Sequence, residues 1–209
     1  MKVFKKSYLP HIFEAAMVTF GVLLALFVNE CNEQRKIDNN TEQTLEFIIA
    51  ELHTNITKFE NSVAYHTQLK KEIDSTSQHI TETDLQAIYY SNTKFKHFQL
   101  PSWKGIGIVE PDNIVFESAK MNGVFQEINI PTTQLISEAY QKMKAYDYLS
   151  ENALEAFLNI NSETKTLDVF RILELMKYDI LNFEEYLQNH LEQTKEELQR
   201  VLDEKRYKK

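Results

Sequence analysis

The side chains able to do chemistry are six histidines, one cysteine and 31 acidic residues. Metal chemistry needs ligands at set spacings, such as two His one helical turn apart with a Glu between them. His11, His53, His66, His79, His97 and His190 show no such spacing. Nucleophilic chemistry needs a serine on a Gly-x-Ser-x-Gly turn or a cysteine with a histidine partner. The chain has no such serine turn, and Cys31 has no recognisable His partner. Gly105-Ile106-Gly107 lacks the later glycine and the βαβ setting of a dinucleotide loop. Acidic pairs such as Glu184-Glu185 and Glu196-Glu197 read as solvated helix faces. A single Cys excludes a disulfide-stapled fold and a Cys-based zinc site. The expectation is a protein that is not an enzyme, with no catalytic, cofactor-binding or metal residues and no cofactor.

The elements that would carry these residues follow from composition. A chain of 209 residues makes one domain, or one domain plus an anchor. Its net charge of −8 argues against a nucleic-acid partner, which would need a basic face. Apolar residues at 43% and charged residues at 26% are those of a folded chain. Four Gly and four Pro are about 2% each, against usual shares of roughly 7% and 5%, so long helices are expected.

Mean hydropathy is −0.42, yet Ala15–Val28 reads AAMVTFGVLLALFV with Thr19 as its one polar residue. Extended back to Leu9, the stretch spans roughly 30 Å as a helix, the thickness of a bilayer core. Glu14 lies near its start, where it can snorkel to the interface. Phe27-Val28-Asn29-Glu30 lacks the small residues of a signal-peptidase site, and Asn29 and Glu30 rule out a lipoprotein site at Cys31. An uncleaved signal anchor over 9–28 is therefore expected, after a basic tail over 1–8. The competing reading is a buried core helix. Lys2, Lys5 and Lys6 precede the stretch, and Glu30 and Glu33 follow it. That bias places the N-terminus in the cytoplasm and the bulk outside, in the periplasm of a Gram-negative cell, anchored in the inner membrane.

Residues 29–44 read as a polar stalk or linker, and 45–209 as a helical extracytoplasmic domain. Leu45, Leu52, Phe59 and Ile73 share one heptad position, interrupted by His66; Ile49, Ile56 and Val63 share another, until Lys70. This predicts a long helix packed in a bundle or coiled coil. It either continues from the membrane segment or starts anew near Asn39-Asn40-Thr41. A polar residue on such a seam, as His66 is, reads as a hydrogen-bonded register device. Thr83 and Gln86 suit a short helix through Tyr90. Asn92–Asn113 is irregular, with a short strand expected at Ile106–Val109. Asp112 or Asn113 then caps a helix ending at Asn122-Gly123. Pro131 opens another helix, with a face of Leu135, Ala139, Met143, Tyr146, Leu149, Ala153 and Phe157. The last helix follows Asn161-Ser162, with Leu173, Met176, Ile180, Phe183, Leu187, Leu191, Leu198 and Val201 along one side. Lys205, Arg206, Lys208 and Lys209 end it and complement its dipole. The predicted class is all-α: an N-terminal transmembrane helix, then a bundle of long amphipathic helices.

Two stretches carry a resemblance. The first is Gly21-Val22-Leu23-Leu24-Ala25-Leu26 followed by Asn29-Glu30-Cys31-Asn32-Glu33-Gln34-Arg35-Lys36; the second is Phe116-Glu117-Ser118-Ala119-Lys120-Met121-Asn122-Gly123, with Tyr140 downstream. The chain resembles a family of bacterial single-pass membrane proteins, a domain of unknown function common in Gram-negative species. Its members carry a Gly-Ile/Val-Leu-x-Ala-Leu membrane helix, then Asn-x-Trp-Asn-Glu and a basic pair. Cys31 stands where that family usually has an interfacial Trp. The resemblance implies an anchor and a helical extracytoplasmic domain, and supplies no catalytic residues and no substrate.

Three further features bear on partners. Gly21-x-x-x-Ala25 is a small-residue pattern that lets membrane helices approach closely. Cys31 is either a free thiol or a disulfide to its twin in a parallel homodimer. The loop around Pro101, Trp103 and Lys104 either plugs the top of the bundle or recognises a partner. The functional expectation is a membrane-anchored interaction or scaffold protein of the cell envelope. Its partners would be the lipid bilayer, a second copy and an unidentified envelope protein. The alternative is a small-molecule-sensing module that acts through a membrane partner.

Overall fold

A computed structural model describes residues 9–207, with side chains from Phe13 onward. The basic tail over 1–8, the side chain of His11, and Lys208 and Lys209 lie outside the described residues. The fold is all-α, as composition and periodicity predict, with no strand among the described residues. Its helices are α1 (Leu9–Ser77), α2 (Glu82–Gln86), α3 (Ile114–Met121), α4 (Ile130–Leu158), α5 (Thr166–Glu174) and α6 (Leu181–Tyr207). A π-helical turn, Leu175–Ile180, joins the last two. The chain falls into two compact units, Met1–Gln43 and Thr44–Lys209.

The first unit contains the apolar part of α1. Its most apolar window has a mean hydropathy of 1.6, with none of it buried, and it is long and apolar enough to cross a membrane. The buried-core reading of this stretch therefore falls. Thr19, its one polar side chain, donates its hydroxyl to the Ala15 carbonyl at 2.8 Å and needs no outside partner. Asn39-Asn40-Thr41 is helical, so no helix starts anew there.

The second unit is built on α1 from Thr44, α4 and α6. Glu51 meets Tyr140 and Phe59 meets Tyr146, so α1 and α4 run parallel. Ser62 meets Glu184 and Glu46 meets Arg206, so α6 runs antiparallel to α1. Two parallel helices need a connection that travels back along them. Residues 100–113 make that return, descending beside α1 from Glu72 to Asn55. The ten residue steps from Ser102 to Asp112 cover about 26 Å of α1; ten helical steps would cover only about 15 Å. The return is thus an extended strap in the place of a fourth helix. Two of the four prolines and two of the four glycines lie in it, at 101, 111, 105 and 107, and these bar a helix.

The strap is not the strand predicted at Ile106–Val109. Its backbone pairs with side chains of α1 and α4, so no ladder forms. Other local expectations shift by a few residues. α2 starts two residues early because Thr81 and Asp84 form the capping box, and it stops at Gln86; Tyr89–Ser91 is a separate 3₁₀ turn. Asn113 precedes α3 but makes no side-chain cap. Glu51 of α1 takes over, accepting from the Val115 amide at 2.8 Å. Gly123, at φ +73°, stops α3 as predicted. Asn129 caps α4 through the Thr132 amide, with Pro131 in the first turn.

Leu45, Leu52, Phe59 and Ile73 are fully buried in one core with Ile136, Met143 and Tyr146 of α4 and Leu187, Leu191 and Leu198 of α6. The second seam of α1 is Ile48, Asn55, Ser62 and Leu69, all buried; of the predicted line, Ile56 is buried in the core, Ile49 packs half-buried against it and Val63 is half-buried. Two of its four positions are polar, which hides it from a search for apolar spacing. The register gives a direct test. Ile48→Ala should cost about 2–5 kcal/mol, the range for a buried Ile. Ile49→Ala, at a half-buried site, should cost about 1 kcal/mol. Urea unfolding of the detergent-solubilised protein reads both.

Candidate functional site

Backbone groups of an extended segment must find partners, because leaving them buried and unpaired is costly. One face of α1 supplies them at helical spacing. Glu72 accepts from the Ser102 amide at 3.0 Å. The Tyr65 hydroxyl donates to the Gly105 carbonyl at 2.7 Å and accepts from the Lys104 amide at 3.1 Å. His66 Nε2 donates to the Ile106 carbonyl at 2.8 Å. The Ser62 hydroxyl lies 3.0 Å from the Gly107 carbonyl. Lys58 donates to the Glu110 carbonyl and pairs with the Asp112 carboxylate at 2.8 Å. Asn55 bonds both the amide and the carbonyl of Asp112, at 2.7 and 2.8 Å. Residues 51, 55, 58, 62, 65, 66 and 72 thus form a polar ladder, and steps of three and four keep most of them on one face. The strap has to lie close. A β-carbon at Gly107 would sit 2.4 Å from a Tyr65 ring carbon, and φ there is +75°.

Midway along the ladder lies a buried junction. Glu184 of α6 is 0% exposed and His66 1%. One Glu184 oxygen accepts from the Ser62 and Tyr146 hydroxyls, each at 2.7 Å. The other faces His66 Nδ1 at 2.7 Å. Tyr146 Oη in turn accepts from the Val109 amide of the strap at 3.2 Å. Glu184 therefore ties α6 to α1 and α4, and its donors tie all three to the strap. Both His66 ring nitrogens face oxygens, the Glu184 carboxylate and the Ile106 carbonyl, and only a doubly protonated ring, an imidazolium, donates to both. Burial opposes that charge, but the Glu184 carboxylate and the Ile106 carbonyl outweigh it and hold His66 above its ordinary value. Burial, with the charge of Glu184, pushes the Tyr146 hydroxyl far up, so it stays protonated as a donor.

Ser62, His66 and Glu184 have the residue types of a nucleophilic triad without its geometry. A triad histidine turns one nitrogen to the hydroxyl and the other to the carboxylate. Here Ser62 Oγ lies 3.5 Å from Nδ1, the nitrogen that already faces Glu184, and Nε2 is closed by the Ile106 carbonyl. The junction holds a shape and does not activate Ser62. Among the described residues, no group of three or more His, Cys, Asp or Glu is placed to hold a metal ion. A second buried cation, Lys177 in the π turn, is held by Asp74 at 2.7 Å and Glu174 at 2.6 Å. Burial opposes its charge, but these carboxylates raise it above its ordinary value.

The residues singled out from sequence lie elsewhere. Gly21 and Ala25 are exposed on α1 and share a shallow groove with Leu24, Val28, Asn29 and Asn32. Cys31 is exposed as a free thiol. Pro101 and Lys104 are exposed, while Trp103 is half-buried, its ring 4.7 Å from His97 and 5.6 Å from Phe157. His66 is hydrogen-bonded on the seam. Glu184 corrects the reading of Glu184-Glu185 as a solvated pair: Glu185 is exposed and Glu184 fully buried. The π turn is the reason. Its wider winding brings Met176, Lys177 and Ile180 inward, with Leu181 just after them, and Glu184 follows on the inner face beside the predicted Phe183, which packs half-buried against the core. Comparison with protein-family models, with curated proteins and with solved structures found no match.

Adjacent glutamates should therefore behave in opposite ways. Glu184→Ala leaves His66 buried without its counter-charge and should cost about 3–5 kcal/mol. Glu185→Ala should stay within about 0.5 kcal/mol of the parent. Urea midpoints measured side by side test this.

Proposed function

We propose that the protein is a single-pass, membrane-anchored interaction or scaffold protein of the bacterial cell envelope, without enzymatic activity. The observation that carries this reading is the apolar stretch of α1, whose side chains from Phe13 to Val28 are all exposed. A continuous apolar surface of that length is unstable in water and suited to lipid. The basic residues before it and the acidic ones after it favour a cytoplasmic N-terminus and a periplasmic helical domain in the inner membrane. This agrees with the resemblance to single-pass envelope proteins. Open space beside Gly21 and the exposed Cys31 thiol suit a parallel homodimer packed through the anchor. Toward the end of the bundle that carries Trp103, Tyr90, Phe98 and Leu158 are exposed, a surface suited to an envelope protein partner. The acidic balance argues against nucleic acid.

A carbonate wash of membranes and protease treatment of intact spheroplasts test the reading together. The protein should resist the wash, and its helical domain should be digested from outside. Release by carbonate would overturn the anchor, and protection until lysis would overturn the orientation.

A further inference from the structure

We propose that the strap is a pH-responsive clamp: protonated His66 locks residues 105–110 onto α1, and loss of its proton releases them while the helices stay packed. The inference stands on geometry and does not rest on the membrane reading. His66 bonds the buried carboxylate through one ring nitrogen and the strap through the other. Nδ1 faces Glu184 at 2.7 Å and Nε2 faces the Ile106 carbonyl at 2.8 Å. A neutral imidazole has one N–H and one lone pair, so it can serve only one of them. The bond to the charged carboxylate is the stronger and keeps the proton. The Ile106 carbonyl then faces a lone pair at close range, and the strap loses its central attachment.

The groups around the ring leave this titration to His66. From its own helix, the Tyr65 ring lies at 5.2 Å. Glu184 faces it from α6, and Tyr146 of α4 meets the same carboxylate. The strap contributes a backbone carbonyl. Burial raises both Tyr65 and Tyr146, so neither ionises near neutrality. His66 is held above its ordinary 6.5 against burial by Glu184 and Ile106. The clamp is accordingly complete below about pH 6.5 and is lost as pH rises through the raised value.

Release should remain local. The helices keep the apolar core they form among themselves, losing only Val109 from it, and the neutral ring keeps its bond to Glu184. The strap is otherwise held by polar bonds and by Val109, which is buried in the core with Ile106 packed against it, while most of its other residues are half-exposed or exposed; segments with so few buried side chains open below the global unfolding free energy. Its amides report on it directly, since the Lys104 N–H bonds to Tyr65 and the Val109 N–H to Tyr146.

The test is hydrogen exchange of the full chain in detergent between about pH 6 and pH 9, corrected for the intrinsic pH dependence of exchange. Peptides covering 103–110 are compared with peptides from α4 and α6. Strap protection should fall about tenfold or more as His66 titrates, with α4 and α6 unchanged. His66→Gln should remove the pH dependence. Constant strap protection to pH 9 would overturn the proposal, as would a loss that tracks the whole bundle, or a pH response that survives in His66→Gln. The parent profile decides the matter alone should that variant fail to fold.

Discussion

One buried carboxylate holds the second unit together. Glu184 accepts from Ser62, His66 and Tyr146, and so joins α6 to α1 and α4 at a single point. The energetics of such a cluster are asymmetric. Replacing all its members with packed apolar groups is often neutral or stabilising, whereas removing one partner costs about 3–5 kcal/mol. Its value to the fold therefore lies in register more than in net stability. Heptad seams of similar apolar residues tolerate sliding, and a slip of α6 along α1 would bury Glu184 without its three donors. The apolar core supplies cohesion; the junction selects one alignment.

The strap follows from that alignment. With α1 and α4 parallel, the chain has to return along the bundle, and its sequence bars a helix there. Half of the chain's prolines and half of its glycines are in this return. An extended segment without a neighbouring strand needs another source of hydrogen bonds, and α1 provides it with Glu72, Tyr65, His66, Lys58 and Asn55. Two requirements meet at His66 and Tyr146, which bond the strap on one side and Glu184 on the other. Fold and site are thus one arrangement. The polar residues that orient the helices are those that fasten the segment between them.

Much of this fold was legible in the sequence. Scarce Gly and Pro, a long seam from Leu45 and the apolar stretch before Val28 lead to the all-α class and the exposed N-terminal helix. The irregular character of 92–113 was visible for the same reason. What stayed hidden were polar residues performing core roles. Asn55 and Ser62 occupy a seam, but apolar spacing cannot reveal a seam that is half polar. Glu184 reads as surface because it neighbours Glu185, and the π turn that carries it inward has no sequence signal of its own. His66 was recognisable as a hydrogen-bonded seam residue, since it interrupts an otherwise apolar position; its partner was not, because that pairing spans 118 residues. Within the irregular segment, Ile106–Val109 reads as a short strand, and only the fold shows that its partners are side chains.

The protonation of His66 bears most directly on the central claim. Nitrogen-resolved NMR of the ring at about pH 7, in the detergent-solubilised protein, reads both positions at once. Two protected N–H protons on one ring, each slow to exchange with water, are the expected result. A single N–H, or ring protons that exchange freely, would mean that His66 does not bridge Glu184 and the Ile106 carbonyl, and the junction described here would not be what aligns the helices.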